Sequence, residues 1–287
     1  MSALILSLRP KQWTKNLVLF AGLLFSKNLF EPHLFQKSLF AFFLFCLLSS
    51  SVYLLNDLMD LESDKRHPQK STRPIASGRL NPKKALAFAI SFSSVGILLS
   101  FLLDQTFGIS SLLFFLLMSL YSSLLKKIVI LDVLAISIGF VIRAIAGALV
   151  IHVEISSWLL VCTTLLALFL ALSKRRYELV QWSEEFRKSL VEYSPHLLDQ
   201  MISVVASALV MAYALYTMSQ ETIEKFHTHG LAFTVPFVLY GIFRYLYLIY
   251  RKEEGGNPET TLLQDKPLLI NCGLWIIAVG IILYLLA

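Results

Sequence analysis

Apolar runs of about 20 residues recur along most of this 287-residue chain. A helix of that length crosses the roughly 30 Å hydrocarbon layer of a membrane. Hydrophobic residues make up 56% of the chain and charged residues only 15%, with a mean hydropathy of +0.69. A water-soluble protein of this size needs more polar residues than that to cover its surface. The pattern predicts an all-α polytopic membrane protein that forms a single domain, residues 1–287.

The apolar runs predict about nine transmembrane helices. Their approximate limits are 16–35, 37–57, 83–104, 107–125, 130–151, 156–173, 197–219, 230–250 and 267–286. The first run is the weakest, because charged residues and Pro32 interrupt it. The third is the best defined at its start, where Asn81 precedes Pro82 in the order typical of a helix N-terminus.

Basic residues are concentrated on one side of this predicted topology. With nine spans, 20 of the 25 Lys and Arg residues lie at the N-terminus or in the loops after even-numbered spans, and three lie on the other side. Loops rich in Lys and Arg stay in the cytoplasm. The sequence therefore predicts a multi-pass protein of the cell (inner) membrane with polar loops, about 56–84 and 174–196, on the cytoplasmic side. Nucleic-acid binding is not expected, because the basic residues lie in short loops rather than on one soluble face.

The most informative polar stretch, residues 55–78, follows the second span and reads LNDLMDLESDKRHPQKSTRPIASG. If the helix continued this far, Asp57, Asp60 and Asp64 would share a sector of roughly 60°, with Asn56 beside them. Carboxylates at a helix C-terminus repel one another and the helix dipole, so the cluster requires a cation. An incomplete set of oxygen ligands suits Mg²⁺, which completes its shell with water and substrate phosphates. We therefore predict a magnesium site at these four residues.

Basic side chains follow the acidic residues and end two other spans. Arg73 comes after the motif, Lys126 ends the fourth span and Lys174 ends the sixth. Each alone is typical of a favourable helix C-terminus. Together they would surround one cytoplasmic-side cavity with enough positive charge for more than one phosphorylated ligand.

Arg143 lies in the middle of the fifth span. A charge at that depth is costly and must face a protein interior with a partner. Two interpretations stay open: a buried ion pair with Asp132 or Glu178, or binding of a substrate anion. We favour the second, because the neighbouring site needs positive charge.

The motif NDLMDLESD, followed by KRHPQKSTRPIASG, resembles the first aspartate-rich motif of the UbiA superfamily of intramembrane prenyltransferases. That resemblance implies nine helices around a central cavity open to the cytoplasmic side. Typical members hold a prenyl diphosphate through Mg²⁺ on two aspartate-rich motifs and prenylate an aromatic acceptor. Here the place of the second motif reads SKRRYELVQWSEEFRKSL, which has no aspartate.

Further segments resemble one branch of the superfamily across nearly the whole chain. These are LRPKQWTKN at the start, YSSLLKK with Asp132, RAIAGA, KRRYEL and VPFVLYGIFRYLYL. The branch transfers 5-phosphoribosyl from phosphoribosyl diphosphate to a decaprenyl-like polyprenyl phosphate and releases pyrophosphate. The resemblance implies a Mg²⁺-dependent transferase of cell wall biosynthesis; oligomeric state, with a homo-oligomer as one option, stays open.

The resemblance also assigns site residues. Asn56, Asp57, Asp60 and Asp64 would serve the metal and the donor diphosphate. The expected substrate-binding residues are Lys15, Lys65, Arg66, Arg73, Tyr121, Lys126, Arg143, Lys174, Arg175 and Glu178. The acceptor phosphate is already anionic, so the displacement at the ribose carbon needs no general base, and catalysis would rest on positioning and electrostatics.

Two alternatives remain at this level. An aromatic prenyltransferase of the same fold would need a second aspartate motif. A membrane transporter is compatible with the intramembrane Arg143, but transporters usually bind substrate near the midplane on broken helices. The concentration of charge at one face favours an enzyme.

Overall fold

The structure, a computed structural model, describes residues 3–181, 192–252 and 258–285. All regular secondary structure within these ranges is helical. Eight of the helical segments are long and apolar enough to cross a membrane. The predicted all-α, polytopic fold class is therefore confirmed.

The chain forms two compact units, and the N-terminal unit ends at Glu154. Its α-helices are α1 (Ala3–Leu8), α2 (Ala21–Phe25), α3 (Pro32–Met59), α4 (Leu61–Arg66), α5 (Pro82–Leu103), α6 (Gln105–Ser123) and α7 (Leu131–Leu149). Its 3₁₀ helices are Pro10–Phe20, Lys70–Thr72 and Leu125–Lys127.

The C-terminal unit begins at Ile155. Its α-helices are α8 (Ser157–Gln181), α9 (Pro195–Met218), α10 (Gln220–Phe226), α11 (Val235–Arg251), α12 (Pro258–Gln264) and α13 (Lys266–Leu285), with a 3₁₀ turn at Gly230–Thr234 before α11. The prediction of one domain over residues 1–287 stays a prediction.

The last eight predicted spans correspond to the eight long helical segments. The start of α5 is as expected, since Asn81 Oδ1 accepts a hydrogen bond from the backbone N–H of Lys83 at 2.8 Å. The largest boundary difference is in α8, which was predicted to end near residue 173 and instead continues to Gln181.

The first predicted span, 16–35, is not one helix. The 3₁₀ helix Pro10–Phe20 leads directly into the short α2, and α3 then begins at Pro32. At about 2.0 Å per residue in the 3₁₀ part and 1.5 Å in the α part, residues 10–25 reach roughly 30 Å, enough to cross the hydrocarbon layer. The prediction was wrong about the form of this segment, while a count of about nine spans remains compatible with its length.

Small residues let this N-terminal segment lie directly against α7. A Cβ atom added to Gly147 would lie 2.0 Å from the carbonyl oxygen of Leu19, and one added to Gly22 would lie 2.9 Å from Cα of Ala148. Small residues at membrane helix contacts allow such close backbone approach. Leu19 is fully buried as a result.

Two apolar clusters support the N-terminal unit. In the first, the ring of Phe45 lies 5.6 Å from that of Phe107 and 5.1 Å from that of Phe114. The second contains Leu54 of α3 with Ile75 and Leu80 of the loop after the acidic motif. This second cluster fixes the loop to the helix that carries the acidic residues.

A buried polar network connects three elements of the C-terminal unit. Tyr213 of α9 shares a 2.7 Å hydrogen bond with Thr234, and the indole N–H of Trp275 in α13 donates to the Tyr213 hydroxyl at 2.9 Å. Away from water, each of these polar atoms needs such a partner.

Candidate active site

The acidic motif lies at a break between two helices. Helix α3 ends at Met59, Asp60 adopts a turn conformation (φ −94°, ψ 6°), and α4 begins at Leu61. The condition for the shared 60° sector, a helix unbroken through Asp64, is therefore not met. The backbone N–H of Asp64 still bonds to the carbonyl of Asp60 at 2.8 Å, so the break is short.

Two arginines hold the buried carboxylate of Asp57. Its Oδ1 accepts from Arg9 Nη2 at 2.5 Å and from Arg73 Nη1 at 3.0 Å. Arg73 Nη1 also lies 2.7 Å from Asp64 Oδ2. One guanidinium thus joins two of the four predicted metal ligands. Both carboxylates are almost completely buried, whereas about a quarter of the Arg73 side chain is exposed.

A second cation holds Asp60. Lys126 Nζ lies 2.6 Å from Asp60 Oδ1 and donates to Asn56 Oδ1 at 3.1 Å. The Asn56 amide in turn donates to Asp60 Oδ2 at 3.1 Å. The structure therefore brings together six of the predicted site residues and adds Arg9: three carboxylates, one amide and three cations.

The donor set suits a divalent metal in its chemistry, because carboxylate and amide oxygens are the ligands of Mg²⁺. In this structure the three aspartates contact cations. Among the residues that the structure describes, no three Asp, Glu, His or Cys side chains are grouped closely enough to hold a metal ion. Asp57 uses Oδ1 and Asp64 uses Oδ2 for the arginine contacts. A metal ion held by these aspartates would therefore share or displace the cations that contact them.

Arg9 is a site residue that the sequence did not reveal. It adopts a left-handed conformation (φ 53°) just before Pro10, and its guanidinium lies 5.0 Å from the centre of the Tyr53 ring. A non-glycine residue in this region is uncommon and indicates a local constraint. The constraint here directs the side chain to Asp57. The signals available in the sequence were its position directly before a proline and its place in the segment LRPKQWTKN, which carries the resemblance.

Other predicted donor-binding residues are less involved with the aspartates. Lys65 is exposed and pairs with Glu62 at 2.7 Å, and this hydrogen bond, with the charge of Lys65, holds the pKa of Glu62 below its usual value. Arg66 is exposed, while Lys15 and Tyr121 are partly buried. Their roles in binding stay predictions.

Arg143 is buried in α7 and is held by uncharged groups. Its Nε donates to Asn16 Oδ1 at 2.8 Å and its Nη1 to the carbonyl of Gly139 at 3.0 Å. The guanidinium also lies 4.4 Å from the centre of the Phe114 ring. The ion pair considered with Asp132 is not formed. Binding of a substrate anion by Arg143 stays a prediction.

The predicted basic segment of the C-terminal unit belongs to α8 rather than to a loop. Buried Arg175 pairs with Glu178 at 2.5 Å. Arg176 pairs with Asp199 at 2.5 Å and stacks on Tyr250, with 4.3 Å from its guanidinium carbon to the ring centre. Lys174 precedes them and is partly buried. Residues 182–191 of the predicted loop lie outside the described residues.

Comparison with known proteins identifies the family that this chain resembles. The profile of the UbiA prenyltransferase family matches residues 17–264. A decaprenyl-phosphate phosphoribosyltransferase from Corynebacterium glutamicum is 32% identical, with 99% of this chain and 87% of that protein covered. A protein of the same name from Mycolicibacterium smegmatis is 33% identical over 99% of this chain and 93% of its own length.

A solved structure gives the same result for the fold. A UbiA homologue from Archaeoglobus fulgidus bound to DMAPP and Mg²⁺ superposes with a TM-score of 0.74, covering 99% of this chain and all of that one, at 16% identity. The family profile covers most of the sequence, and the relatives cover nearly all of it. This chain belongs to the UbiA prenyltransferase family.

Proposed function

We propose that this protein transfers the 5-phosphoribosyl group of phosphoribosyl diphosphate to a polyprenyl phosphate of decaprenyl type and releases pyrophosphate. The two phosphoribosyltransferases that resemble this chain over 99% of its length support this reaction. The whole chain, residues 1–287, would act as one catalytic domain in the cytoplasmic membrane, with the acidic motif on the cytoplasmic side.

The observation that carries the proposal is the contrast between the two polar regions. Asp57, Asp60 and Asp64 form one acidic cluster, whereas the end of α8 carries Lys174 and two arginines. One acidic cluster suffices for one diphosphate donor. A basic segment suits an acceptor that is itself a phosphate.

The donor would bind at the acidic cluster of the N-terminal unit. Arg9, Arg73 and Lys126 are the cations already in place there. Guanidinium groups bind phosphate oxygens in a bidentate manner, and the lysine adds a point charge. Lys15 and Tyr121 would complete the contacts to phosphate or ribose.

The chemistry is a displacement at the anomeric carbon. The bond from that carbon to the diphosphate oxygen breaks, pyrophosphate leaves with the electron pair, and an oxygen of the lipid phosphate forms the new bond. No proton moves, so the chain needs to supply orientation and positive charge rather than a base.

A divalent metal, Mg²⁺ in our proposal, would be held by Asn56, Asp57, Asp60 and Asp64 and would supply charge neutralisation to the departing pyrophosphate. The cations of the cluster would hold the remaining phosphate oxygens. Lys174 and Arg175, with Glu178 orienting Arg175, would receive the phosphate of the lipid.

The direct test uses purified protein in detergent with Mg²⁺, radiolabelled phosphoribosyl diphosphate and polyprenyl phosphate. We expect label to move into the organic phase and expect EDTA to prevent the transfer. Absence of transfer, together with prenylation of an aromatic acid from a prenyl diphosphate, would identify an aromatic prenyltransferase instead. Absence of both reactions would remove the enzyme proposal and leave a transporter.

A further inference from the structure

The three cations at the acidic cluster contact one oxygen of each of the three carboxylates that would hold a metal ion. Arg73 Nη1 contacts carboxylate oxygens of both Asp57 and Asp64, at 3.0 and 2.7 Å. Lys126 contacts Asp60 and Asn56 in the same way. An oxygen that accepts a hydrogen bond from a guanidinium or ammonium group is a poorer ligand for a metal. The same cations are also the groups that the donor phosphates need.

The formal charges of the cluster show what happens when the same cations serve both the aspartates and the donor phosphates. Three aspartates balance Arg9, Arg73 and Lys126, so the cluster without ligands is neutral. Addition of a divalent ion alone would leave two uncompensated positive charges among groups with little exposure to water, and a diphosphate alone would leave negative charge there. Either imbalance is costly in a largely buried site. Metal and diphosphate together nearly cancel.

We propose that Arg9, Arg73 and Lys126 are exchangeable counter-ions, which hold the aspartates in the ligand-free protein and transfer to the donor phosphates when a divalent metal takes their place. Metal and diphosphate then bind cooperatively and each binds weakly alone. This assigns Arg9 to the donor phosphates as a new binding residue. The inference rests on the proposed function only in requiring a diphosphate donor.

Geometry supports the exchange for the two arginines. The Arg73 side chain is 24% exposed and that of Arg9 is 25% exposed, although both contact a carboxylate that is only 2% exposed. The Tyr53 ring supports the guanidinium of Arg9. These side chains can therefore reach both the buried aspartates and a ligand at the surface of the cluster. By thermodynamic linkage, the factor by which the diphosphate tightens metal binding equals the factor by which the metal tightens diphosphate binding.

The test measures retention of Mn²⁺, as a probe for the divalent metal, by the purified full-length protein at matched free Mn²⁺ with and without pyrophosphate. We expect pyrophosphate to tighten Mn²⁺ binding by roughly tenfold or more, the usual range for coupled sites. Equal binding in both conditions would overturn the exchange. This comparison uses the unmodified protein and does not depend on how a variant folds.

A variant tests which side chain is responsible. Arg73→Gln removes the cation shared by Asp57 and Asp64, so Mn²⁺ alone should bind more tightly and the gain from pyrophosphate should shrink. Lys127→Gln is the matched control, because Lys127 is exposed and adjacent to Lys126, and it should behave as the wild type. Weaker binding of Mn²⁺ alone by Arg73→Gln would instead mean that Arg73 holds the aspartates in place for the metal.

The lipid acceptor is absent from these measurements, so they can be separated from the transfer assay. Cooperative binding without phosphoribosyl transfer would keep the exchange and reject the proposed donor. Transfer without cooperativity would keep the reaction and reject the exchange.

Discussion

Arg143 Nε donates a 2.8 Å hydrogen bond to Asn16 Oδ1, which joins α7 to the N-terminal 3₁₀ helix across 127 positions of sequence. The Asn16 side chain also accepts from Ser49 and donates to the sulfur of Cys46, both in α3. One amide therefore connects three elements. Because Arg9 directly precedes the same 3₁₀ helix and Lys15 lies within it, this connection also positions cations of the candidate site.

The first prediction concerns the energetic coupling of this pair. Asn16→Ala removes the acceptor of the buried Arg143 Nε and should lower the free energy of unfolding by about 1.5–3 kcal/mol. Combined with Arg143→Gln, the two changes should be non-additive by about 0.5–3 kcal/mol. Unfolding in detergent of both single variants and the double variant measures this. Thr14→Ala, an exposed site in the same helix, is the control. Additive losses would show that the two side chains act independently.

Gly147→Ala should be strongly destabilising. Its Cβ would lie 2.0 Å from the Leu19 carbonyl oxygen and 2.6 Å from the Leu19 Cα, and neither backbone atom can move without displacing the N-terminal segment. Overpacking of this kind costs about 1–3 kcal/mol and occasionally more. Thermal unfolding in detergent measures the loss.

Gly273→Ala provides the control for that measurement. Among the described residues, no atom outside the adjoining backbone of α13 lies within 4 Å of an added Cβ at this position, and alanine is the better helix former by about 0.5–1 kcal/mol. We expect an unchanged or slightly higher melting temperature. Equal melting temperatures for both variants would contradict the close contact between α7 and the 3₁₀ helix.

Hydropathy alone predicted the long helices well, because a membrane span must be both apolar and long enough to satisfy its backbone. Hydropathy did not predict the form of the first span. A 3₁₀ helix rises about 2.0 Å per residue instead of 1.5 Å, so fewer residues cover the same distance. Hydropathy also placed the end of α8 too early. Charged residues such as Lys174 and Arg176 end a hydrophobic run but do not end a helix, and residues 174–181 contain neither Gly nor Pro.

The acidic cluster was predictable from local spacing, but its partners were not. Arg9 and Asp57 are 48 positions apart, and Lys126 and Asp60 are 66 apart. Sequence charge can suggest that a cation is needed without showing which one reaches the site. For Arg143, the cost of a charge inside the membrane left two interpretations, a carboxylate partner or a substrate anion. The partner found is a neutral amide, which satisfies the guanidinium geometrically.

Asp60→Asn should abolish turnover while leaving the fold intact. The neutral amide removes the charge that Lys126 compensates and a predicted metal ligand, so metal-dependent retention of pyrophosphate should also fall. Turnover, pyrophosphate retention and circular dichroism measure these effects. Lys84→Gln, an exposed site in α5, should keep full activity. An active Asp60→Asn variant would remove the metal hypothesis.

Asp104, between α5 and α6, should make stability depend on pH. Burial raises the pKa of its carboxyl group, but hydrogen bonds from Thr106 and the Phe107 N–H, with the nearby charges of His152 and Lys37, outweigh burial and hold the pKa below its usual value. Such a group stabilises the fold above its unfolded pKa of about 3.9, and the stabilisation is lost as the pH falls through the folded pKa.

Asp104→Asn isolates this charge, because asparagine is an equally good helix N-cap. The variant should melt at a lower temperature than the wild type at neutral pH, and the difference should shrink as the pH falls below about 4. Asp104→Ala also loses the cap and should stay less stable, by about 1 kcal/mol, at every pH. A constant difference between Asn and wild type down to pH 3 would contradict the lowered pKa.

Lys174→Ala distinguishes the two phosphate-binding regions. We assign the lipid phosphate to Lys174 and Arg175, and we test Lys174 because its side chain is partly exposed whereas that of Arg175 is buried. Loss of one charge-assisted hydrogen bond, about 1.5–3 kcal/mol, should raise the KM for polyprenyl phosphate by roughly tenfold or more and leave the KM for phosphoribosyl diphosphate nearly unchanged. Steady-state kinetics with each substrate varied in turn measure both constants, and Lys84→Ala serves as the charge-matched control. A larger effect on the sugar donor would mean that the two phosphates are bound in the opposite regions.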